Sequence, residues 1–269
     1  MTTPLTTPAI RFRFGLTPLE KMASRGAGHP VRHWFGLTDG WYCVDLDGHE
    51  VLRYSARTVA ELRGDGDPPH PYVDYYVARL WEDLLAIVSD AMEPVPGDLA
   101  GIAADPSPDW EWVDTPEAEA AADWHGAGYL YTGYLRVAPD LRFCRTVAGE
   151  DDVVIATWEQ RADPEGVIEF AVPRSGRVTM RTSEFLAAVT ELHRALFAAM
   201  DQRVRELAEF EPDPAAPEAM EQLRREHGDR ATWLRRARDR EPGTDWEAVR
   251  SGVRALLTAR PGPDVSAPS

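Results

Sequence analysis

Apolar and polar positions alternate over Ile10 to Phe14, where arginines separate the large apolar residues, and this period predicts a strand. Thr17-Pro18-Leu19-Glu20 then has the cap and first-turn proline of a short helix. From Val31 to Tyr54 aromatic and β-branched residues are broken by Asp39-Gly40 and Asp47-Gly48, both hairpin-turn dipeptides, so a three-stranded meander is expected. In its middle strand Tyr42, Val44 and Leu46 form an apolar face directed at the core, with Trp41, Cys43 and Asp45 on the other face.

The period then changes to helical. Val73, Val77, Leu80, Leu84 and Ile87 or Val88 share one stripe, which predicts a helix over Tyr72 to Met92 stopped by Pro94 and Pro96. Residues 97–123 hold eight acidic residues, no basic residue and several prolines, and are expected to be a mobile acidic loop insertion. Five strands are predicted next: Tyr129 to Arg136, Leu141 to Val147, Val153 to Gln160, Val167 to Val172 and Arg177 to Met180. Thr182 caps a long helix whose stripe runs from Phe185 to Leu207 and includes His193.

These elements predict an α+β fold, an antiparallel β-sheet packed against two long helices, with a small C-terminal helical appendage. The expected organisation is an α+β domain over 1–210, a helical appendage over 211–259 and a disordered tail over 260–269. Within the appendage Thr244-Asp245-Trp246-Glu247 has the form of a capping box.

Charge narrows the partners. The chain carries 45 acidic and 29 basic residues, a net of -16, which repels a phosphate backbone and argues against nucleic acid while favouring a basic protein. Plain solubility explains the same acidity. Cys43 and Cys144 are too few for a disulfide framework or a metal knuckle and read as small core residues. Neither an apolar run of membrane length nor a leader is seen, so the expected location is cytoplasmic, with no membrane partner.

P-loop, dinucleotide, zinc-protease and nucleophile-elbow motifs are absent, and no metal or cofactor is expected. Asp45-x-Asp47-Gly48-x-Glu50 faintly resembles a calcium loop, but a hairpin turn explains it. The candidate binding residues are Asp39, Trp41, Tyr75, Arg79, Glu82, Asp83 and His125. Helical spacing puts Arg79 within reach of Glu82 and Asp83, a pattern equally common on solvated faces. His125 sits among glycines and aromatics in what reads as a loop. Trp34, Trp41, Tyr75, Tyr76 and Trp81 are either core or, where exposed, an interface patch around Arg79.

The strings Ile10 to Glu20, His33 to Tyr42 and Tyr72 to Leu85, with Glu93-Pro94-Val95-Pro96 after them, resemble an uncharacterised actinobacterial family of unknown function over about residues 10–210. The resemblance implies no activity and no site residues. The leading expectation is a non-enzymatic acidic protein-binding domain, immunity- or antitoxin-like. The rival is a small-ligand-binding protein or hydrolase-like enzyme, with a carboxylate and Arg79 facing each other in a cleft.

Overall fold

The computed structural model describes residues 8–23, 33–63, 70–210 and 216–258. The expected tail at 260–269 lies outside them. Along the chain run β1 (Ile10–Leu16), α1 (Leu19–Ala23), β2 (Asp39–Leu46), β3 (His49–Glu50), α2 (Ala56–Arg63), β4 (Val73–Tyr76) and α3 (Val77–Ala86). Then come α4 (Ala100–Ala103), α5 (Pro116–Ala127), β5 (Asp140–Ala148), β6 (Asp151–Glu159), β7 (Ser175–Arg181) and α6 (Thr182–Phe210). The helices α7 (Ala216–Arg230), α8 (Trp233–Asp239) and α9 (Trp246–Thr258) follow.

The fold is α+β, with two antiparallel sheets in place of the single sheet expected. In the first, β2 is central: β1 pairs along one edge, and β4 and β3 share the other. The second has the order β5-β6-β7. The ring contact of His49 in β3 with Trp158 in β6 joins the sheets, and nearby the connecting segments meet in a bridge between Tyr54 and Phe170. Tyr42, Val44 and Leu46 are fully buried, as the alternation predicts, in a core shared with α3 and α6.

The meander is corrected at its first strand, because Gly36–Thr38 is a 3-10 turn and β1 takes the place beside β2. That turn has a purpose: the Thr38 hydroxyl donates to the Phe35 carbonyl at 2.7 Å and accepts the Ala78 amide at 3.1 Å, capping α3 from outside its own sequence. The helix expected from Tyr72 accordingly starts at Val77, and Val73 to Tyr76 form β4. Val73 faces the core under either period, so the apolar stripe could not separate strand from helix here. Past Ala86 the helix widens into a π-turn over Ile87–Ala91.

Three further expectations change. Residues 97–123 contain α4 and most of α5, whose first turn is capped by Thr115 accepting the Ala118 amide at 3.2 Å. Their apolar cover is α9: Leu99, Ala103, Ala118 and Ala121 form a second core cluster with Val249, Val253 and Leu256. Tyr129 to Arg136 and Val167 to Val172 are not strands but loops, the first bridging Arg142 of β5 through Tyr129 and the second bridging Tyr54 through Phe170. Finally, Thr182 gives its hydroxyl to Asp152 at 2.6 Å, and Asp245, not Thr244, caps α9 by accepting the Glu247 and Ala248 amides at 3.1 Å.

The turn after β2 has Asp47 at φ 50° and Gly48 at φ 84°, a left-handed pair that matches a tight hairpin, and Asp45 accepts the Gly48 amide at 2.9 Å. Asp45 also pairs with Arg11 at 2.6 Å, so its carboxylate belongs to the hairpin.

Candidate functional site

A continuous run of aromatic rings crosses the junction of β4 and α3. Phe35 lies 4.8 Å from Tyr76, Tyr76 5.2 Å from Tyr75, Tyr75 4.3 Å from Tyr134 in a stacked pair, and Tyr134 5.9 Å from Tyr131. Phe35, Tyr75, Tyr76 and Tyr134 are half-buried, while Tyr131 is 55% exposed. Backbone order explains the arrangement. Strand β4 delivers Tyr75 and Tyr76, helix α3 continues directly with Arg79, Glu82 and Asp83, and the loop after Leu130 folds Tyr131 and Tyr134 back over them.

The Arg79 guanidinium sits over both loop tyrosines, 5.5 Å from the Tyr131 centroid and 5.7 Å from that of Tyr134. It approaches Glu82 to 3.7 Å and Asp83 to 3.8 Å. Glu82 is held more closely by Arg230 of α7.

Asp83 is the unusual group. Burial raises its pKa to about 7, Arg79 opposes the rise, and the neighbouring charge of Glu82 adds to it. Its Oδ2 atom is buried and has no hydrogen-bond partner among the described residues. Tyr134 faces it and is 2.9 Å, hydroxyl to hydroxyl, from the core residue Tyr42. Burial raises the pKa of both phenols, so the pair stays protonated and a donor remains available to Asp83.

Four of the seven candidate residues therefore meet: Tyr75, Arg79, Glu82 and Asp83. Three do not. Asp39 opens β2 opposite Tyr76 in register, and its charge acts on Arg203. Trp41 alternates to the other face of β2 from Tyr42 and stacks on Tyr72 at 4.7 Å, with His70 at 5.6 Å. His125 is corrected from an accessible loop to the buried last turn of α5, where Nε2 meets the Asp105 carbonyl at 3.0 Å. Burial first, and Arg142 second, depress its pKa to about 4, which keeps the imidazole neutral near pH 7.

Sequence reasoning missed Tyr42, Tyr131 and Tyr134. The Thr132-Gly133 dipeptide was the available signal for a turn that could fold Tyr131 and Tyr134 over α3. Clefts of ≈ 570 Å³ and ≈ 760 Å³ lie elsewhere; the first touches the cluster only through Tyr131 and the second is lined by His49, Glu50, Arg53 and Tyr54. Among the described residues no group of three or more His, Cys, Asp or Glu is placed to hold a metal ion, and no helix is long and apolar enough to cross a membrane.

A model of a family of unknown function, DUF5984, matches residues 11–252. No curated protein and no solved structure matches the chain.

Proposed function

As the chain belongs to DUF5984, a family of unknown function, its own side chains must carry the functional argument, and we propose that it is a non-enzymatic, acidic, cytoplasmic domain that binds a basic protein. The observation behind this reading is the aromatic run from Phe35 to the exposed Tyr131, since tyrosines are enriched among interface anchors. The net charge of -16 would speed encounter with a cationic partner, while the tyrosines would supply the affinity. An immunity- or antitoxin-like role toward a basic effector fits that chemistry. Two free, buried cysteines suit a reducing compartment.

The test is capture from a lysate of the native host at low and high salt, with wild-type and Tyr131→Ala baits compared by mass spectrometry. A stoichiometric basic partner that is released by salt and lost from Tyr131→Ala supports the reading. A bait without a companion, or a partner held equally by both, overturns it.

Asp83 favours a second reading, because a carboxyl that titrates near neutrality is what an acid or base catalyst needs. A substrate screen comparing wild type with Asp83→Asn tests it, and turnover untouched by the substitution would remove Asp83 from the chemistry.

A further inference from the structure

Arg79 occupies its place without being fixed there. Among the described residues it makes no hydrogen bond, and its carboxylate approaches of 3.7 and 3.8 Å are far from the roughly 2.7–2.9 Å of a charge-assisted bond. Other arginines here reach that distance: Arg145 lies 2.7 Å from Asp152, and Arg136 2.6 Å from Glu165. The Arg79 side chain is also 37% exposed, so solvent reaches it. What surrounds it is nevertheless built for a cation, with two tyrosine faces, the carboxyl of Asp83 and the side of Glu82.

Among the described residues, Glu82 and Glu226 both bind Arg230, while the cation nearest Asp83 is the more loosely held Arg79. Asp83 Oδ2 is buried without a hydrogen-bond partner among the described residues, which leaves acceptor capacity for an incoming donor beyond what the Tyr134 hydroxyl supplies.

We propose that Tyr131, Tyr134 and Asp83 form a cage for a cationic side chain, that Arg79 fills it as an internal stand-in, and that a guanidinium or ammonium group of the basic partner displaces Arg79 on binding. This rests on the protein-binding reading for its partner, but the cage itself is testable without one. Exchange is favourable because an incoming cation can close to hydrogen-bonding distance on Asp83, whereas Arg79, lying on the two tyrosine rings, stays 3.8 Å from it.

The probe is ethylguanidinium chloride, titrated into the purified full chain bearing ring-13C tyrosine, with sodium chloride at equal ionic strength as the control. Arg79→Ala should bind it saturably and about ten-fold tighter than wild type, read at the Tyr131 and Tyr134 ring resonances. Adding Asp83→Asn, or Tyr131→Ala, to Arg79→Ala should weaken that binding about ten-fold. Alanine is the best helix former, so the first substitution keeps α3. A shift no larger than sodium gives, or equal binding by wild type and Arg79→Ala, overturns the cage. In lysate capture Arg79→Ala should hold the partner more tightly. A partner lost from both Tyr131→Ala and Arg79→Ala would leave protein binding standing and make Arg79 an anchor, not a stand-in.

Discussion

The guanidinium of Arg230 lies between the rings of Trp34 and Trp233, 4.7 Å from one centroid and 4.6 Å from the other, while it binds Glu82 and Glu226. Trp34 is fully buried and donates its indole N–H to His227 at 2.9 Å, so α7 closes directly over the core. Removing Arg230 takes the closer cation from Glu82, leaving Arg79 at 3.7 Å, and takes from Glu226 the guanidinium that lies 2.9 Å away. Arg230→Ala should cost about 3 kcal/mol, and Arg230→Lys less, because an ammonium keeps the charge but not the planar stack. Urea unfolding decides this, and a loss under about 1 kcal/mol for the alanine variant would show the arrangement to be incidental.

Gly252 is the contact point of α9 on α5. A Cβ there would fall 1.8 Å from the Glu117 carbonyl oxygen, which cannot move without unwinding α5. Gly252→Ala should lower stability by about 2–3 kcal/mol, whereas Gly228→Ala, in α7 with nothing within 4 Å, should raise it by about 0.5–1 kcal/mol. Thermal melts of the two variants should move in opposite directions.

Asp83 predicts an unusual pH dependence. Its pKa in the fold, about 7, stands above the ordinary 3.8, so between these values the unfolded chain is ionised while the native one is not. Its contribution to stability therefore falls as pH rises through that window and is flat above it. Asp83→Asn should gain about 1–2 kcal/mol over wild type at pH 8, after allowance for partial solvent screening, and nothing below about pH 4. Unfolding midpoints across the window check it, and a constant offset would refute the assignment.

His125 works in the reverse sense. Its folded pKa of about 4 lies below the ordinary 6.5, so the unfolded chain takes up the proton first and stability falls as pH drops through that interval. His125→Phe keeps the ring packed near Trp110 but cannot charge. The stability difference between wild type and this variant should shift by roughly 2 kcal/mol toward the variant from pH 7 to pH 4.5.

The sequence made some of this legible and concealed the rest for identifiable reasons. Strand β2 was visible because Tyr42, Val44 and Leu46 alternate cleanly with Trp41, Cys43 and Asp45. The start of α3 was not, because its cap is the Thr38 hydroxyl from another segment and Val73 satisfies both periods. In the candidate site, Arg79, Glu82 and Asp83 were found by helical spacing alone. Tyr134 and Tyr42 were not, since only the folded chain brings residues 92 positions apart into hydroxyl contact. His125 misled because Gly126 and Gly128 suggested a loop where the last turn of α5 is buried beneath Trp110 and Tyr129.

The packing of α9 on α5 sets an order of events during synthesis. Ala127, the last residue of α5, and Trp246, the first of α9, are separated by 119 positions, which a ribosome covers in on the order of ten seconds. For that interval Leu99, Ala118 and Ala121 lack the cover that Val249, Val253 and Leu256 later give them, while eight acidic residues keep the segment hydrated. The acidity of 97–123 thus doubles as protection against premature collapse, and a nascent chain stalled before Trp246 would present this uncovered stretch to the proteases that clear unfinished proteins.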